Sequence, residues 1–318
     1  MAIELQQLRQ VIALAEHGSF VRAAAALHIS QPALSRSIQN IERQFGSELF
    51  LRTSSGTVPT DLGRLYLERA RDLLRMADDF EREAVHRGAL QAGRISVGGG
   101  PYPSDAVLAR AAARFAEQFP GISLRVRSGD WDELLRRLRS RDLDFFVAET
   151  STLHREADLE VAPLDATHAL YFVARAGHPL ALRRDLPVAE LLSWPFATPG
   201  RIPPRLLDPL LSTLRGAKGR SFPAIECNGL APLKRILANS DAVSASILSC
   251  ISRELEDGSF VLLGTAPWMH LHYGIVSLKG RPWTQAAGRF VEFVRDAERD
   301  TAQDEQRLAR RFGTPGHA

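Results

Sequence analysis

Residues 19–45, SFVRAAAALHISQPALSRSIQNIERQF, constrain this chain more than any other stretch. Their spacing predicts two short helices, over 20–27 and 31–45, separated by a tight break at His28, Ile29 and Ser30. Ser19 and Ser30 stand where helix N-caps belong. Pro32 falls in the first turn of the second helix, where a missing N–H leaves no hydrogen bond unmade. Leu34, Ile38, Ile41 and Phe45 recur as one apolar stripe. The opposite face carries Gln31, Ser35, Arg36, Gln39, Asn40 and Arg43, side chains of the kinds that read base edges and grip phosphates. Residues 23–26 are all alanine, which lets the first helix approach the second closely, and no acid stands near the start of the second helix. The pattern is a helix-turn-helix; an ordinary helical hairpin with a solvated face is the alternative.

On either side the pattern extends. Residues 4–18 predict a helix with Leu5, Leu8, Val11, Ile12 and Ala15 on one face, packed behind the pair. Residues 49–53 predict a strand, 54–56 a turn and 57–58 a return strand, together a small β-wing. Thr60 should cap a long helix over 61–90. In it Leu62, Tyr66, Arg69, Leu73, Met76 and Phe80 alternate by four and three residues, a coiled-coil seam with one polar interruption. Such a helix is expected to pair with its twin in a dimer, or else to pack on the chain's own C-terminal part.

After a hinge-like break at 89–93, strands and helices alternate. Strands at 94–98, 123–127 and 143–148 with helices at 104–119 and 131–140 predict a parallel, doubly wound lobe. A second lobe, starting near Leu164, is predicted with strands at 169–174, 196–198, 224–227 and 242–245 and helices at 205–215, 230–239 and 247–254. A strand at 271–278 and a helix at 284–299 follow, and the polar 301–318 tail is expected to be partly disordered. The fold class is therefore α/β overall, with a mainly α N-terminal domain. Hydrophobic residues make 45% of the 318 and charged residues 24%, the balance of a globular protein with a sizeable core. No apolar run is long enough to span a bilayer, and the polar N-terminus lacks a signal-peptide pattern, so a cytoplasmic protein with no membrane partner is expected. The formal charge of +3 neither demands nor opposes nucleic acid.

Residues 8–60 resemble the N-terminal domain of LysR-type transcriptional regulators. The likeness is carried by AEHGSF (15–20), AAAALHISQPALSRSIQNIE (23–42), FGSELFLRT (45–53) and PTDLGRLYL (59–67). It extends to about residue 300, with Phe119-Pro120 and His178-Pro179-Leu180 where family members carry them. The resemblance implies a winged helix-turn-helix over 1–60, a linker and dimerisation helix over 61–90, and a two-lobed effector domain over 94–300 of type II periplasmic-binding-protein architecture. The first lobe would comprise 94–163 and 267–300, the second 164–266. It implies double-stranded DNA, read as an imperfect inverted repeat, a small-molecule effector, and self-association to a dimer or tetramer, with RNA polymerase a candidate partner. Gln31, Ser35, Arg36 and Gln39 would meet bases or adjacent phosphates, Ser30 and Arg52 would meet the backbone, and Pro32 and Thr53 complete the expected DNA-binding set. A solute-binding or enzymatic α/β protein with an incidental helical domain is the alternative function.

Three loops are expected to meet at an effector cleft. Gly100, Pro101, Tyr102 and Ser104 follow the first strand and open a helix, where free N–H groups would receive an anion, a carboxylate being the expected class. Ser128 follows the second strand, Thr198 and Arg201 follow a strand of the second lobe, and Asn228 and Ser246 are placed on the far wall. Many family members have Ser or Thr where this chain has Gly100, so recognition by a hydroxyl there would pass to Ser104 or to backbone amides. The run at 98–100 is not G-x-G-x-x-G, and no dinucleotide or other cofactor is expected. His270 and His272 share a strand face without an evident third ligand, so no metal site is expected. Cys227 and Cys250 match no metal or redox spacing, and no catalytic constellation stands out.

Overall fold

The structure, a computed structural model, describes residues 4–53, 56–85, 93–150, 156–214, 221–281 and 283–313. The chain divides into two compact units, 1–89 and 90–318.

In the first unit, α1 (Leu5–His17) ends at Gly18 in the left-handed conformation, α2 (Phe20–Ala26) follows, and α3 runs Gln31–Phe45 as its stripe predicted. Ser30 caps α3 by accepting the Ala33 N–H at 3.3 Å, whereas the Ser19 side chain makes no capping bond to α2. Leu34, Ile38 and Ile41 are buried against Val11 and Leu14 of α1 and Ala23 and Ala24 of α2. The antiparallel wing is β1 (Phe50–Thr53) and β2 (Gly56–Pro59). Two contacts fix it to the helices. The Glu42 carboxylate accepts the N–H groups of Leu49 and Phe50 at 2.8 and 3.2 Å, and the Gly18 carbonyl accepts the Thr57 N–H at 2.9 Å. The Thr60 hydroxyl caps α4 (Asp61–Val85) through the Gly63 N–H at 2.9 Å. Leu67 and Ala70 of α4 are buried, while Leu73 and Met76 of the predicted seam are 41% and 60% exposed. Leu62 and Tyr66 at the start of the seam pack on the core of this unit, so it is the part at Leu73 and Met76 that stays uncovered among the described residues; the Phe80 side chain and residues 86–92 lie outside them.

In the second unit, β3 (Gly93–Gly99) lies parallel between β4 (Ile122–Ser128) and β5 (Phe145–Glu149). The helical run between β3 and β4 begins as α5 (Pro101–Pro103), widens into a π-turn at Ser104–Leu108 and continues as α6 (Ala109–Gln118). Asp130 caps α7 (Trp131–Arg139), which leads to β5. The predicted parallel βαβαβ order is thus present.

Beyond it the sequence-based boundaries need correction. The strand expected at 169–174 is the end of a 17-residue strand, β6 (Leu159–Arg175). Pro163 within it argues against a strand, yet it sits beside a register shift, where a missing N–H breaks no ladder bond. After β6 come α8 (Val188–Leu191), β7 (Ala197–Thr198), α9 (Pro204–Thr213), β8 (Ile225–Glu226), α10 (Leu230–Ala238) and β9 (Ser244–Ile247). A 3-10 turn (Leu248–Ile251), α11 (Ser252–Glu256), β10 (Phe260–Gly264), β11 (His270–Leu278) and α12 (Gln285–Phe312) complete the unit. Neither β10 nor α8 was expected. The main sheet runs β10-β6-β11-β5-β3-β4, with β9 also on β6, and β7 pairs β8 in parallel. The first part of β6 pairs β11, and its end pairs β9 and β10. The tail expected to be partly disordered is helical to Phe312, because Thr301 and Glu305 are buried and Arg110 pairs with Asp304 at 2.6 Å. Among the described residues no helix is long and apolar enough to cross a membrane.

Candidate functional sites

On the first unit, the face of α3 opposite its buried stripe presents Gln31, Pro32, Arg36, Gln39, Asn40 and Arg43 to solvent, with Ser35 half-buried beside them. The Arg36 Nε donates to the Pro32 carbonyl at 3.3 Å, which holds the exposed guanidinium against the first turn. Arg43 bonds the Gln39 carbonyl and the Asn40 side chain. No described ion pair neutralises Arg36 or Arg43. Ser30 is exposed and uses its oxygen as the cap, so its O–H can still donate. Thr53 is exposed, but its hydroxyl donates to the Gly56 carbonyl at 2.9 Å and closes the wing turn. The Arg52 side chain lies outside the described residues.

On the second unit a cavity of about 550 Å³ opens at the carboxyl ends of β3 and β5 and beside β7. Of the residues expected at the cleft, Gly100, Pro101, Tyr102, Thr198, Arg201 and Asn228 line it. Ser104, Ser128 and Ser246 do not. The Ser104 hydroxyl is buried behind the loop, Ser128 is exposed, and Ser246 is buried with its hydroxyl on the Ile247 carbonyl at 3.1 Å. On β9 the lining is made by Ser244 and Ala245, and Ser246 lies one residue beyond it.

The two expected hydroxyls that reach the cavity are engaged. Tyr102 donates to the Ala245 carbonyl at 2.6 Å and Thr198 to the Gly200 carbonyl at 2.7 Å. Arg201 pairs with Asp132 at 2.6 Å. Sequence reasoning missed the aromatic wall of Trp131, Phe196, Trp268 and Tyr273, and also Glu149, whose carboxylate lies 3.8 Å from Arg205. The strand expected at 143–148 stopped one residue short of Glu149, which ends β5 (Phe145–Glu149); the tryptophans carried no positional signal because each follows a loop. Burial pushes both thiols up: Cys250 is fully enclosed, and Cys227 at the cavity edge is raised by burial and then by Glu226. The rings of His270 and His272 lie 5.0 Å apart, and no group of three metal-type ligands occurs among the described residues.

A helix-turn-helix with a basic face and a winged hairpin, joined in one chain to an α/β unit with a ligand-sized cavity at its strand ends, defines a DNA-binding regulator with a separate effector-type domain. Residues 5–64 match the bacterial regulatory helix-turn-helix protein, lysR family, and residues 88–299 match the LysR substrate binding domain. This chain belongs to the LysR family of transcriptional regulators, which is not a family of enzymes. It is 38% identical over 304 residues to the SDS degradation transcriptional activation protein of a Pseudomonas species, covering 94% of this chain and 97% of that one. The fold is shared with a full-length OxyR variant from Pseudomonas aeruginosa (TM-score 0.66, 21% identity, all of both chains). It is shared equally with CbnR in complex with its target DNA (TM-score 0.66, 22% identity, 93% of this chain and all of that one).

Proposed function

We propose that this regulator seats α3 in the major groove as a homo-oligomer, and that a small molecule in the cavity of the second unit alters its binding or bending of DNA. The carrying observation is the exposed face of α3, where Gln31, Ser35, Arg36 and Gln39 stand together and Arg36 is held against the first turn with no acid upon it. Ser30 at the helix start and Arg52 on the wing are the phosphate contacts. Thr53 contributes by closing the wing turn rather than by donating to DNA.

Leu65, Leu73 and Met76 are large apolar side chains left exposed on α4, which supports pairing of this helix with its twin. A dimer sets two recognition helices about one DNA turn apart and so favours an imperfect inverted repeat. A cytoplasmic tetramer of such dimers, in contact with RNA polymerase, completes the proposal. An effector acts only if it binds one arrangement better than another.

Selection of bound sequences from a random DNA pool by the full-length protein, at near-physiological salt, tests this. Recovery of an inverted repeat is expected. Recovery of no motif, with binding lost on modest added salt, would leave only non-specific attraction to phosphates.

A further inference from the structure

The cavity is built against a carboxylate. A helix N-terminus receives an anion through its free N–H groups, and the loop after β3 has almost none to offer. Pro101 and Pro103 carry no N–H. The Gly100 N–H donates to the Val147 carbonyl and the Ser104 N–H to the Gly100 carbonyl, both at 2.9 Å. At α7 the position is already taken by the chain's own Asp130, which accepts the Glu133 N–H at 2.8 Å. At α9 the N-cap and the first helical position are Pro203 and Pro204, neither of which has an N–H.

The charges around the cavity point the same way. Its charged lining is four acids and one base, and that base, Arg201, is exposed and paired with Asp132. The acids do not invite a cation either: Asp130 is a cap, Glu133 pairs with Arg137 at 2.9 Å, and Glu149 lies beside Arg205. Glu226 is exposed. What remains is apolar and aromatic wall. Among the lining hydroxyls, that of the buried Tyr273 has no hydrogen-bond partner, and the Asn228 amide stands exposed at the rim. Burying an ion here, with no unpaired opposite charge in the lining to meet it, costs several kcal/mol, whereas burying an apolar body is favourable.

From this lining we infer that the effector is an uncharged, largely apolar small molecule with one hydrogen-bonding group, a hydroxyl or carbonyl, directed at Tyr273. This rests on the assignment of the cavity as the effector cleft.

The test uses the full-length protein at pH 7.5 and six probes: the alcohol, carboxylate and primary amine of the 2-naphthylmethyl skeleton, and those of the n-decyl skeleton. Trp131 and Trp268 line the cavity, so their fluorescence reports binding. Both alcohols are expected to bind at least roughly tenfold more tightly than the ions of the same skeleton, about the factor that one unmatched polar group costs. Ala245→Phe, which fills the cavity from its lining, should abolish that binding, and Tyr273→Phe should weaken it severalfold. An ion binding as tightly as its alcohol would overturn the uncharged class while leaving the cleft as the effector site. Alcohol binding unmoved by Ala245→Phe would overturn the cleft itself. Affinity unmoved by Tyr273→Phe would overturn the anchor, and no binding by any of the six would overturn the inference as a whole.

Discussion

His168 and Glu305, 137 residues apart in sequence, meet at 2.9 Å between Nδ1 and Oε2 inside the second unit, where His168 has no exposed surface. Glu298 stands 3.6 Å from the other ring nitrogen. The two glutamates are themselves held, Glu305 by the Ser249 hydroxyl at 2.6 Å and Glu298 by the Ala166 N–H at 2.8 Å. The imidazole stacks on Tyr273 with ring centres 4.5 Å apart. Burial pushes the His168 pKa down, and the hydrogen bonds and charges of Glu298 and Glu305 outweigh it, so that the group titrates at about 9.

This pairing makes stability fall as pH rises. The folded state holds the His168 proton more tightly than the unfolded chain, where histidine titrates near 6.5. The contribution is therefore fully present below about 6.5 and is lost as pH rises through about 9, by an amount on the order of 2–4 kcal/mol. Chemical denaturation at pH 6.5, 8 and 9.5 should show this decline, and His168→Gln should flatten it. An equal decline in the variant would assign the pH dependence to other groups.

Arg36→Ala should weaken binding to the selected site by roughly 1–3 kcal/mol, the worth of a bidentate base contact, while the protein stays folded. Competition between the selected and a scrambled duplex measures it. An unaltered preference would remove Arg36 from the base-reading set.

Gly63 allows α4 to pass directly beneath the wing. A Cβ there would lie 2.0 Å from the Leu49 carbonyl oxygen, backbone that also accepts the Thr60 N–H at 2.9 Å. Gly63→Ala should therefore destabilise the first unit by roughly 1–3 kcal/mol, as overpacking does elsewhere, and loosen DNA binding with it. Urea titration of the purified variant gives the first number. A midpoint matching that of the parent would show that the wing yields freely.

Neither cysteine is suited to sense oxidants. Attack on peroxide needs a thiolate, and burial holds both thiols up, with Asp105 and Glu305 adding to the effect at Cys250. Intact-mass measurement after peroxide treatment at neutral pH should find Cys227 and Cys250 unmodified and DNA binding unchanged. Loss of binding that returns with reductant would contradict this.

The helix-turn-helix could be read in advance because local chemistry decides it: a serine cap, an apolar stripe and a left-handed glycine at the end all lie within α3 and its flanks. The parallel βαβαβ order was legible for the same reason. What escaped depended on partners far away in sequence. The start of β6 was hidden by Pro163, which is tolerated because of where β11 shifts register. The end of α12 reads as a solvated tail until Thr301 meets the Ala106 carbonyl at 3.0 Å and Glu305 meets His168. In the cleft, spacing placed six of the nine expected residues around the cavity, yet it could not show that their donors already had acceptors. The prolines of the first loop were in plain view, and their missing N–H groups were the available sign that an anion would find few donors.

Because β6 is one unbroken strand, the ladders on either side of it share a backbone. A flank that opens by losing β11 withdraws support from the residues that hold β9 and β10, since no loop intervenes to absorb the motion. The two sets of amides should then exchange with solvent as a single cooperative unit rather than as two. Strain introduced at one end of this strand arrives at the other as a change in pairing free energy, without any side chain having to relay it.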